Sequence, residues 1–229
     1  GYEAGFGPTV GAPANLSSSN TLGDAYGKRL TAPSIWSPTD KDSSVTIVDP
    51  QTLTASGGSG RSGTSVASNS GNWYWEYTLD SGGQMMVGLA LSNASLAIYP
   101  GGDDRAWAYF AGDGSIYHNG AVVSGVSGAA AGSVIGVALN TATKEVQFYV
   151  DGVPVSGVIT VTGTSWFAMG GYIGTAVANF GASQFRYRPP PGYNLGFGAV
   201  SANTTFTGVV TLDDLTQDAE IAHTGGTET

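Results

Sequence analysis

The chain has 229 residues, of which 41% are hydrophobic and 11% charged, and 8 Lys plus Arg against 17 Asp plus Glu give a formal net charge of -9. That balance leaves no basic footprint for nucleic acid or for an anionic membrane surface. Cysteine is absent, which excludes a disulfide framework and a thiolate centre, and no apolar run reaches the about 18 residues of a membrane-spanning helix.

The chain opens on Gly1 rather than Met, so a processed product or a piece of a longer protein is expected. Residues 1–32 carry Gly, Ala, Ser, Asn and Pro with no sustained period and read as an extended N-terminal arm. From 33 to 197 short apolar runs alternate with turn residues at spacings that suit strands, and this is the expected folded body. Residues 45–48 and 51–54 flank Asp49-Pro50, a pair suited to a turn. The Ser/Gly stretch 56–70 reads as a loop. Its segment Gly58 to Gly63 satisfies the G-x-G-x-x-G spacing, yet no helix pattern follows whose N-terminus could hold a pyrophosphate.

The next ten residues, GNWYWEYTLD at 71–80, are the most informative of the chain. In an extended strand Trp73, Trp75 and Tyr77 fall on one face and Tyr74, Glu76 and Thr78 on the other. Two tryptophans on one face demand a covering layer, which argues for a β-sandwich. QMMVGLAL at 84–91 is nearly all apolar, as a strand buried on both faces or bent at Gly88 would be. Residues 106–110 and 115–118 flank Gly112-Asp113-Gly114, a hairpin signal. Residues 133–140 and 145–150 follow, the second with Val146, Phe148 and Val150 on one face, and Asp151-Gly152 closes a further turn. The last strands of the body are 166–172 and 176–180, and Pro189 to Pro191 end regular structure. Residues 198–229 read as a C-terminal arm or linker, with one strand at 205–212, an acidic turn at 213–220 and a tail.

Titratable groups are few. The only histidines are His118, beside a hairpin, and His223, in the tail, and no general acid/base set is expected. Asp103-Asp104 and Asp213-Asp214 are adjacent pairs whose side chains diverge on an extended chain, so they read as solvated turns rather than a glycosidase pair. Asp103, Asp104 and Asp113 lack the twelve-residue spacing of a calcium loop, and neither metal nor cofactor is expected. Loop tyrosines are the better binding candidates. Tyr99 precedes Pro100, Tyr117 precedes His118 and Asn119-Gly120, and exposed tyrosines on loops anchor proteins or sugars; the competing reading for each, and for Tyr74, is simple packing.

Read in series, GNWYWEY, VGLAL, WAYFAGDGSIYHNG, GSVIGVALNTATKEVQFYVDGVPV, WFAM and ANFGASQFRYRPPPGY resemble the SPRY domain over residues 36–193. The resemblance implies an all-β fold, a bent antiparallel β-sandwich of the concanavalin-like jelly-roll kind, with no cofactor and a role in protein recognition through loops on one rim. In members that recognise peptides, aromatics near the segments matching Trp107 to Tyr109 and Trp166 contribute to binding; here Ala106 and Ala108 are smaller. The lead-in IWSPTDKDSSVTIVDPQTLTA looks like SPRY modules of bacteriophage structural proteins. On that basis the expected function is a non-enzymatic binding or assembly module of a virion: a fibre, receptor-binding or decoration component. Its expected partners are other virion proteins or a host surface protein or glycan, with no nucleic acid and no membrane insertion. The arms imply a homo-oligomer or a larger assembly. The rivals are a carbohydrate-binding module and a general SPRY protein-interaction domain outside a virus; a hydrolase lacks its acid/base pair. The expected ligand-binding residues are Tyr99, Asp103, Asp104, Tyr109, Tyr117 and Trp166.

Overall fold

Side-chain alternation along the tryptophan strand sets up the whole architecture. In a computed structural model that describes residues 30, 32–80, 83–125 and 128–199, Trp73, Trp75, Tyr77 and Leu79 all point into one buried core. The strands, in chain order, are β1 (Ala32–Pro33), β2 (Trp36–Lys41), β3 (Val45–Ile47), β4 (Thr52–Ala67), β5 (Asn72–Leu79), β6 (Met85–Ala90), β7 (Ala106–Phe110) and β8 (Ser115–His118). They continue as β9 (Ala121–Gly125), β10 (Val134–Asn140), β11 (Glu145–Val150), β12 (Val153–Pro154), β13 (Ile159–Thr160), β14 (Ser165–Asn179), β15 (Asn194–Leu195) and β16 (Gly198–Ala199).

Among the described residues, fourteen of these strands form one hydrogen-bonded sheet whose main path runs β12-β11-β10-β5-β14-β6-β7-β8-β9, with β4 along the other side of β14. Residues 176–179 of β14 pair with β5, while residues 167–172 pair with β6. The strand therefore belongs to two layers, and the sheet folds back on itself at its middle. A register shift between Gly171 and Ile173 marks the bend, where Tyr172 takes φ 82. The two strands expected at 166–172 and 176–180 are thus one bent strand. Between the layers lie all five tryptophans, with Trp36 stacked on Tyr77 at 6.0 Å, edge-on to Phe180 at 5.3 Å, and Trp75 against Phe197 at 4.6 Å.

The Ser/Gly stretch 56–70 is a correction to the sequence reading, because most of it is strand β4 and Gly58 to Gly63 is not a loop. Small residues serve close approach here rather than flexibility. A Cβ on Gly58 would stand 2.5 Å from Asp42 Cβ and one on Gly60 3.4 Å from Lys41 Cβ, so β4 must be thin where it passes the end of β2. The Asp49-Pro50 turn does join β3 to β4, with Asp49 Oδ1 accepting the Gln51 and Thr52 N–H groups at 2.8 Å each. Strand β9 was not expected from the sequence; its residues are largely exposed and give little apolar alternation.

The inner ends of both expected arms lie on the sandwich itself. Ala32–Pro33 pairs with Gly198–Ala199, and Leu30 and Phe197 enter the core. The expectations for residues 1–29 and 31 and for 200–229, including the strand at 205–212 and its intermolecular contacts, lie outside the described residues.

Tyr74 and Glu76 face away from the tryptophans and are buried all the same, because the segment 181–193 crosses that outer face. Tyr74 packs edge-on against Phe185 at 5.2 Å and Tyr149 at 6.2 Å. Glu76 is the tether: its Oε2 accepts the Arg186 N–H at 2.8 Å, and its Oε1 accepts the Tyr187 N–H at 2.9 Å and the Tyr74 hydroxyl at 3.1 Å. Burial raises the carboxyl above the ordinary Glu value, and the three donors only partly oppose it. A folded-state acid raised above its unfolded value contributes stability that is complete below the unfolded value, about 4.3, and is lost as pH rises through the folded value. The stability of the parent minus that of Glu76→Gln is therefore expected to rise on acidification from pH 7 towards pH 4, read by denaturant unfolding at each pH. A fall in that quantity would place the carboxyl below its ordinary value and sink this account.

Candidate binding face

The second layer, β6 to β8 with the first half of β14, turns one face inward and leaves the other to be covered by something else. Along β7, Trp107 and Tyr109 point to the core, so Ala106, Ala108 and Phe110 point out. Pairing carries this across the layer: Ala108 lies opposite both Gly88 and Tyr117, and Phe110 opposite Met86. The outer surface is small at its centre. A Cβ on Gly88 would fall 2.0 Å from the Trp107 carbonyl, so no larger residue fits there.

The loop 91–105 lies across that shallow centre. Its Ala94 and Leu96 pack on Ala90, Ala106 and Met169, a second apolar cluster apart from the main core. Arg61 on β4 pins the start of the loop, donating to the Leu91 carbonyl at 2.7 Å and to that of Ser92. The same buried guanidinium meets Asp40 with Nε and Nη2 at 2.9 and 2.8 Å and sits over the Phe167 ring at 5.3 Å. Further along, Ser59 donates its N–H to the Leu96 carbonyl at 2.9 Å and its hydroxyl to that of Ile98 at 3.1 Å. Asp103 folds the end of the loop, its carboxylate accepting the N–H groups of Ser95 at 2.7 Å and Arg105 at 3.0 Å. Asn119 and Gly120 then join the β8–β9 turn to the carbonyls of Asp103 and Gly101 at 2.8 and 3.0 Å.

This scaffold brings four rings together at one side of the face. Tyr99 stands edge-on to Tyr117 at 6.1 Å and to Tyr172 at 6.0 Å, and Phe110 is edge-on to the same two at 6.1 and 6.4 Å. All four side chains are half-buried, each keeping part of its surface in water. Tyr172 reaches the group from the bend in β14. A bulky residue at positive φ costs about 1–3 kcal/mol, strain of a kind that clusters at binding sites.

Of the residues expected from the sequence, the structure brings Tyr99 and Tyr117 together and separates the others. Tyr109 and Trp166 are corrections: both are 0% exposed, facing the core by strand alternation, with the Trp166 indole N–H bound to the Thr162 carbonyl at 2.9 Å. Burial pushes the Tyr109 hydroxyl up to about 12. Asp103 folds the loop rather than facing a ligand, and Asp104 is an exposed rim residue 3.3 Å from Arg105. Phe110 was missed although its outward face follows from the inward Trp107 and Tyr109. Tyr172 was missed because nothing in the sequence announces the bend that presents it. Among the described residues, no group of three His, Asp or Glu side chains is placed to hold a metal. The His118 ring stacks on Trp107 at 4.5 Å, with Nδ1 3.0 Å from the Ala106 carbonyl, which is packing rather than a proton relay.

The model of the family described as the SPRY domain matches residues 72–175, the stretch from the tryptophan strand to the bend in β14. Among solved structures, the SPRY domain of human HERC1 superposes with a TM-score of 0.54 at 20% identity, covering 62% of this chain and 96% of that one. The TRIM65 PSpry domain superposes with a TM-score of 0.55 at 13% identity, covering 65% of this chain and 90% of that one. At these identities the likeness is one of fold. No curated protein sequence matches the chain.

Proposed function

We propose that this chain, which the SPRY family model matches over residues 72–175, is a non-enzymatic protein-interaction module that holds its partner on the Tyr99, Phe110, Tyr117 and Tyr172 group. The observation that carries the reading is the half-buried state of all four rings, with Phe110, Tyr117 and Tyr172 on β7, β8 and β14 and Tyr99 on a loop fixed by Arg61, Ser59 and Asp103. Aromatic groups that are already ordered lose little entropy on binding, and tyrosines offer apolar area together with a hydroxyl. SPRY domains are in general binding modules without catalysis, and the residues around this face supply no acid/base pair. The narrower reading, a component of a phage particle, rests on the lead-in sequence and its assembly into an oligomer on the composition of the arms, whereas the general interaction module is the reading the family match supports.

The test is to select peptides from a displayed random library against the full chain and to measure their affinity for variants. Tyr117→Ala and Tyr99→Ala are each expected to weaken binding about tenfold or more. Because the rings are half-exposed and outside the main core, the melting temperature should move by only a few degrees. Peptides that bind both variants as they bind the parent, or losses that track stability step for step, would remove this face as the docking site.

A further inference from the structure

Strand β9 is the last strand at one end of the sheet, paired with β8 on one side and, among the described residues, with nothing on the other. Sheet edges are usually kept from gaining a further strand by shortness, charge or proline. The opposite end has the two-residue β12 with Pro154, the edge strand β2 carries Pro38 and Lys41, and β3 is three residues long. Strand β9 (AVVSG) has five residues without a charge or a proline, and its Val122 and Val123 are 53% and 47% exposed. A bulge at Val123 is the one such device it has, and it leaves Ala121 and Val122 in register with β8.

The turn before β9 decides which way the backbone of this edge faces. Asn119 and Gly120, at φ 54 and 69, form a two-residue hairpin turn flanked by His118 and Ala121. In an antiparallel ladder the residues that flank such a turn exchange both their hydrogen bonds, and the next pair exchanges none. That next pair is Tyr117 and Val122, so the Val122 N–H and C=O turn away from β8, towards the open edge. The turn is itself held, since the N–H groups of Asn119 and Gly120 bond the carbonyls of Asp103 and Gly101. Ordered backbone groups at an exposed edge are a template for another backbone.

Side chains and charge say what a strand laid there would meet. Paired residues of neighbouring strands share a face, so Val122 stands on the outer face beside Tyr117, whose ring is 6.1 Å from those of both Tyr99 and Phe110. A strand on β9 would lie two strand spacings, about 10 Å, from β8, and a long side chain opposite Val122 crosses that distance to Tyr117. The loop and turn next to the rings carry Asp103, Asp104 and Asp113 against Arg105, in a chain of net charge -9. That charge favours a basic segment and disfavours a second copy of this chain. We infer that the partner docks as an extended basic segment that adds a strand to the sheet at β9 and lays a long side chain on the aromatic group. The inference rests on the reading of that group as the docking face, and it supplies the conformation and charge of what docks.

The probe is the tightest peptide selected from the displayed library on the full chain, together with copies of it methylated at one backbone nitrogen at a time. The selected pool is expected to be enriched in Lys and Arg. Methylation of the amides turned towards β9 should weaken binding about tenfold or more, and methylation of the alternate ones should leave it within about twofold. Val122→Pro removes the donor at an edge position of the kind that accepts proline, so it should weaken binding about tenfold or more with little change in melting temperature. Val122→Thr keeps the N–H and the shape and should bind within about twofold of the parent. By hydrogen exchange the Val122 amide is expected to be open in the free chain and to slow about tenfold or more with peptide bound. Should Val122→Pro fail to fold, the methyl scan on the parent decides. A pool without basic enrichment, a scan without alternation, or a Val122 amide already protected in the free chain, by its own terminal segments or by a second copy, overturns the inference. If Tyr99→Ala and Tyr117→Ala weaken binding while Val122→Pro and the scan do not, the edge is wrong and the aromatic face stands. If the tyrosine variants bind as the parent does, or no peptide is selected, the face falls and this inference with it.

Discussion

Trp75→Ala is expected to cost about 3–5 kcal/mol of stability, among the largest losses available to a single substitution in this chain. Trp75 is wholly buried at the centre of β5, between the two layers, with its ring 4.6 Å from that of Phe197. Its strand pairs with β10 along its whole length, Val137 lying opposite Trp75, so the backbone is held in place and cannot collapse far into the space left. A cavity with rigid walls keeps most of its cost. For a chain of this size each kcal/mol is worth about 2–4 °C, so the midpoint should fall by roughly 10 °C. Denaturant unfolding of parent and variant measures the effect. A variant that unfolds with the parent would mean that the tryptophan face of β5 is not the packed one.

Arg61→Ala is expected to cost about 3 kcal/mol and, unlike the tryptophan change, to weaken peptide binding by more than the stability loss explains. The guanidinium gives two bonds to Asp40 and the others to the carbonyls of Leu91 and Ser92, so its removal takes a donor from all three groups, the Leu91 carbonyl keeping only the Ala94 N–H at 3.2 Å. The estimate sits at the low end of the range for a broken buried ion pair because the Asp40 side chain keeps 36% of its surface in water. With the start of the 91–105 loop released, Tyr99 is no longer held against Tyr117 and Tyr172. Arg61→Lys should recover only part of the loss, since an ammonium cannot make the fork to Asp40 and reach both carbonyls. Hydrogen exchange in residues 94–105 is the discriminating readout. If Arg61→Ala leaves these amides as protected as in the parent, the loop is not held by Arg61.

Much of this could be read from residue order. The inward set Trp73, Trp75 and Tyr77, the hairpins at Asp49-Pro50, at Gly112 to Gly114 and at Asp151-Gly152, and the two-layer architecture all follow from alternation and turn chemistry, which are local properties of an extended chain. So does the resemblance that led to the fold. Tyr99 and Tyr117 stood out as loop tyrosines, and the structure brings them together.

What alternation reports is which face a side chain takes, and burial of the outer face is decided by chain far away in sequence. Tyr74 and Glu76 point away from the tryptophans yet are covered by the segment 181–193, and Ala106 is covered by Ala94 and Leu96 of the loop 91–105. The same limit explains the error over 56–70. Gly and Ser mark flexible chain when nothing confines them, but between β14 and β2 their lack of side chain is what lets three backbones pass close together. The chain by itself therefore determined the strands, the core and the family resemblance, because these depend on side-chain period and turn residues within a few positions. Only the tertiary structure decided which rings share a surface: Tyr99 and Tyr172 become neighbours at 6.0 Å through the fold of one bent sheet, and no local pattern encodes that distance.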